Sequence, residues 1–103
     1  MKNKRRSRRE ILALLRSDDE TLRRYGVRRI GLFGSHASGR QSAASDVDLV
    51  VDFAKPSFDN FMGLTEHLER LLGTKVDVLT TQGIAGIRVK EVADSIKRSI
   101  VYV

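Results

Sequence analysis

The stretch DVDLVVDF, residues 46–53, decides the fold. Side chains alternate along an extended chain, so Val47, Leu49, Val51 and Phe53 share one face, while Asp46, Asp48, Val50 and Asp52 share the other. The pattern predicts a β-strand with one apolar face and one acidic face. Asp46 and Asp48 then project from the same side with Cα atoms ~6.5 to 7 Å apart, close enough for both carboxylates to reach one site. Two like charges at that distance repel, and they need hydrogen bonds, a basic partner or cations. Carboxylate oxygens suit Mg²⁺ or Mn²⁺, and two such ions ~3.5 to 4 Å apart can hold the attacking and leaving oxygens of a phosphoryl or nucleotidyl transfer. Asp52 lies ~13 Å beyond Asp48 along the strand, too far to share that site, and is expected to be solvated at the strand end.

Upstream, VRRIGLFG (residues 27–34) reads as a strand that ends at Gly34, and SHASGRQSAAS (35–45) as a polar loop. Glycine at a strand end lets the backbone turn sharply and approach a ligand closely. The Ser35 hydroxyl and the amides of the following turn are donors suited to a phosphate, and Arg40 adds a cation. Downstream, residues 55–73 predict a helix that starts near Pro56 or Ser57, stops at Gly73, and buries Phe61, Leu64, Leu68 and Leu71. TKVDVLT (74–80) predicts a third strand, on which Asp77 is placed to join Asp46 and Asp48 if that strand pairs with the second. One or two helices are expected over residues 9–25, and a helical pattern with an extended end over 84–103. The expected fold is a small α/β (α+β) domain, a short mixed β-sheet with helices packed mainly on one face.

The 103 residues suffice for one domain, residues 1–103, with a basic arm at residues 1–9. There is no cysteine, which excludes disulfides and thiolate metal sites. No apolar run is long enough for a signal peptide or membrane helix, so a cytoplasmic location is expected. The net charge of +6 is uneven, because residues 1–29 carry eleven Lys or Arg against four acids and the remainder is slightly acidic. Such an arm can contact DNA or an acidic partner. His36 is expected in the solvated loop and His67 on the surface.

Gly34-Ser35, ten residues, then Asp46-Val47-Asp48 resembles the mark of the minimal nucleotidyltransferase family, small relatives of the DNA polymerase beta type. The resemblance runs from about Arg28 to Leu79. It implies that Asp46 and Asp48 are metal ligands for Mg²⁺ or Mn²⁺, with Asp77 joining them in the metal set. It also implies that Asp77 is the third acid, which orients or deprotonates the acceptor hydroxyl, and that Gly34 and Ser35 hold the triphosphate of ATP. Relatives often carry an arginine just before the loop glycine, where this chain has Ser38, with Arg40 just after Gly39 instead. Members with only the minimal domain are commonly antitoxins that transfer AMP to a tyrosine of a HEPN-domain ribonuclease toxin. Two alternatives stand beside that expectation: an antitoxin that acts by binding alone, and a nucleotidyltransferase that acts on a small molecule.

Overall fold

A computed structural model describes residues 7–34 and 46–103. In chain order the elements are α1 (Arg8–Ser17), α2 (Asp19–Arg24), β1 (Val27–Phe33), β2 (Val47–Phe53), α3 (Phe58–Leu72), β3 (Val76–Thr80), α4 (Thr81–Ala85), α5 (Lys90–Ser99) and β4 (Val101–Tyr102). The sheet order is β3-β2-β1-β4, with β1 antiparallel to both neighbours and β2 parallel to β3. The sheet is therefore mixed, as the pattern of elements predicts.

Local chemistry sets the helix ends. The Ser7 hydroxyl accepts from the Glu10 amide and the Glu10 carboxylate accepts from the Ser7 amide, a reciprocal cap that starts α1 at Arg8. Arg8, counted by sequence with the basic arm, thus belongs to the helix, and Arg9 lies in it as the helical pattern over residues 9–25 predicts. The rest of that arm, residues 1–6, lies outside the described residues. In α3 the Ser57 hydroxyl accepts from the Asn60 amide, and Gly73 closes the helix in the left-handed conformation at φ 70°.

The apolar face of β2 is the centre of the main core. Val47, Leu49, Val51 and Phe53 pack with Ile11, Leu12 and Leu15 of α1, Leu22 of α2, and Leu64, Leu68 and Leu72 of α3. Leu72 rather than Leu71 completes the α3 stripe, because fully buried contacts follow the i, i+4 row; Phe61 and Leu71 pack at its margin. The opposite face carries a smaller cluster, in which Val50 is buried beneath Ile84 of α4 and Ala93 of α5. Helices thus cover the two faces unequally, and the thinly covered face is the one that bears the acids of β2. The short helix α4 was not legible in the sequence. It forms because the Thr80 hydroxyl at the end of β3 accepts from the Gly83 amide and starts a turn there.

Candidate active site

Parallel strands need a crossover, and α3 supplies it by carrying the chain from the end of β2 back to the start of β3. The second residues of the two strands consequently fall side by side: Asp48 is the direct register partner of Asp77. On its other flank Asp48 is paired with Phe33, the last residue of β1. Asp46 immediately precedes β2 and is exposed, Asp48 is half-buried, and Asp77 is exposed. A crossover connection therefore brings Asp77 to the acids that strand alternation places together.

Gly34 follows β1 with φ 74° and lies against the Asp48 side chain. The Asp48 carboxyl is held above the usual carboxylate range. Burial is the largest cause, followed by the negative charges of Asp77 and Asp46 and a hydrogen bond with Asp77. A cation placed here would relieve that repulsion. Among the described residues no three of His, Cys, Asp and Glu form a closed metal cage. Ser35, His36 and Arg40 lie outside the described residues.

Two expectations are corrected. Asp52 is not a solvated strand end: its two oxygens accept from Arg28 Nε at 3.1 Å and Nη2 at 3.0 Å, and its side chain is 21% exposed. The Thr81 hydroxyl lies 3.5 Å away as a third, weak donor. The sequence hides this pair because Arg28 is a whole loop away, and only the antiparallel register of β1 on β2 brings it near. Arg28 holds the Asp52 carboxyl below the usual carboxylate range. His67 is likewise not a plain surface residue. Its Nε2 is 2.6 Å from Asp18 Oδ2, and its ring lies 5.8 Å from that of Tyr25, so it ties α3 to the junction of α1 and α2.

A cavity of about 340 Å³ opens beside Asp52, lined by Arg28, Ala54, Pro56, Thr81 and Gln82 among others. It sits at the carboxyl ends of β2 and β3, whereas Asp48 and Asp77 sit near their amino ends. The cavity therefore does not serve the clustered acids.

The model of the nucleotidyltransferase domain matches residues 15–103. The protein adenylyltransferase MntA of Thermococcus cleftensis is 41% identical over 96 residues, covering 91% of this chain and 93% of that relative. A solved structure described as a minimal nucleotidyltransferase superposes with a TM-score of 0.75 at 26% identity, covering 93% of this chain and 95% of that one. A crystal structure of a toxin–antitoxin with AMP-PNP gives a TM-score of 0.52 at 26% identity, covering 78% of this chain and 59% of that one.

Proposed function

The chain belongs to the nucleotidyltransferase domain family, and on that premise we propose that it transfers AMP from ATP to a hydroxyl of a partner protein, acting as an antitoxin. The observation that carries the reading is the side-by-side placement of Asp48 and Asp77, with Asp46 coupled to Asp48 and Gly34 against it. The name of the Thermococcus relative supports adenylyl transfer to protein, and the complex crystallised with AMP-PNP supports both the nucleotide and the toxin.

In this reading Asp46 and Asp48 hold Mg²⁺, which when bound cancels charge on the triphosphate and orients the α-phosphate. Asp48 and Asp77 share one row of the sheet, so the acceptor hydroxyl is bound beside Asp77 on the outer strand β3. Asp77 takes the hydroxyl proton as the oxygen bonds to the α-phosphorus and pyrophosphate leaves. Ser35 and Arg40 contact the triphosphate. The acceptor is a tyrosine of a cognate HEPN-domain toxin, as the family resemblance implies.

The test is transfer of label from α-labelled ATP to the purified toxin. Parent protein should label it. The variant Asp46→Asn/Asp48→Asn should not, while keeping its helical circular dichroism. Full labelling by that variant would sink the proposal.

A further inference from the structure

Gly34, the residue that follows β1, meets the most buried acid of the site, and its glycine identity has two separable causes. Its φ of 74° is in the region L side chains rarely adopt. Independently, a Cβ on Gly34 would lie 3.0 Å from Asp48 Cγ and 3.2 Å from Asp48 Cβ, and would overlap Oδ2. Asp48 itself has little freedom to move aside. It is fixed in register between Phe33 and Asp77, and the next residue on its face, Val50, is buried under α4 and α5.

We infer that Gly34 is a positioning residue: the missing side chain leaves the space in which the Asp48 carboxylate sits, and so sets where that carboxylate points. This deepens the reading of Asp48 as a metal ligand and rests on it. It gives Gly34 a role through a protein carboxylate, separate from contact with the triphosphate. An L residue at position 34 displaces the Asp48 carboxylate from this space, and Asp48 then no longer meets a cation together with Asp46.

Full-length Gly34→Ala and Gly34→Asn, each made in the parent and in an Asp48→Ala background, test this. Asn tolerates positive φ better than Ala but still carries a Cβ. Mn²⁺ is the probe, titrated by water proton relaxation without nucleotide. Both parent-background variants should bind it ~10- to 100-fold more weakly, as expected when a group that orients a ligand is lost. Thermal melting is the second readout. Gly34→Ala should lower the midpoint clearly in the parent and distinctly less in the Asp48→Ala background, where the colliding carboxylate is absent.

Equal losses in both backgrounds, or parental melting and Mn²⁺ affinity in Gly34→Asn, would mean that backbone conformation alone demands glycine, and would overturn the proposal. If Gly34→Ala fails to fold, rescue by Asp48→Ala supports the inference and failure of rescue overturns it. The melting comparison does not depend on catalysis. Labelling by Asp48→Ala at the parental rate would therefore refute Asp48 as a metal ligand while leaving the packing result to stand or fall by itself.

Discussion

Asp48 and Asp52 occupy the same face of the same strand, yet their surroundings push them in opposite directions. Asp48 faces two further carboxylates and partial burial, which favour its neutral form. Asp52 faces a guanidinium that grips both its oxygens, which favours its charged form. Between them Val50 is sealed beneath Ile84 and Ala93, so an apolar step separates two electrostatic environments along one strand. The fold neutralises the acid at the carboxyl end of β2 with its own arginine. It leaves the acids at the amino end crowded together, with no basic side chain among the causes that act on Asp48.

The contrast fails first if the crowded acids prove dispensable. Asp48→Asn should cut AMP transfer by ~10²- to 10³-fold or more, the scale seen when one group that stabilises developing charge is removed. It should not lower the melting midpoint, because it removes a repulsion. A variant that unfolds but stays active while folded would reverse the assignment.

At the other end, Asp52→Asn and Arg28→Gln should lower the melting midpoint while transfer stays near the parental rate. Loss of transfer in a well-folded Asp52→Asn protein would place Asp52 in the site after all.

The two acids should also differ in the sign of their pH dependence. Asp52 has a depressed folded pKa, so its contribution to stability is present above the ordinary aspartate range and is lost as pH falls through the folded value. Asp48 has a raised folded pKa. Its contribution is fully present below its unfolded value and is lost as pH rises through the folded one. Melting midpoints across the acid range should therefore fall less steeply toward low pH in Asp52→Asn than in the parent. In Asp48→Asn the destabilisation on raising the pH should be smaller than in the parent. Identical slopes in all three proteins would remove the contrast.

The smallest effect belongs to Thr81. Its hydroxyl reaches Asp52 only at 3.5 Å, and hydrogen bonds weaken steeply with distance. Thr81→Val should shift the melting midpoint less than Arg28→Gln does, and a larger shift would make Thr81 the main partner of Asp52.

How much of this was legible in the sequence follows from the range over which each cause acts. Strand alternation is local, so residues 46–53 alone assigned Val47, Leu49, Val51 and Phe53 to the core and set Asp46 and Asp48 on the other side. Helix ends are local too, and Ser57 and Gly73 could be read as the cap and stop of α3. The partner of Asp52 is not local. Arg28 reaches it only through the antiparallel register of β1 on β2, and that register shifts between Val27 and Arg29. The contact of His67 with Asp18 was hidden for the same reason, since a crossing of α3 over the α1–α2 junction creates it.

The sequence by itself determined the three main strands, the ends of α3 and which residue types could bind a cation, because periodicity and capping act within a few residues. Only the tertiary structure decided that β3 pairs with β2 so that the expected third acid arrives, and which acid is neutralised. The parallel crossover set Asp77 beside Asp48, and the strand register set Arg28 on Asp52. Charge is felt through space, and neighbours in space are fixed by how the strands pair.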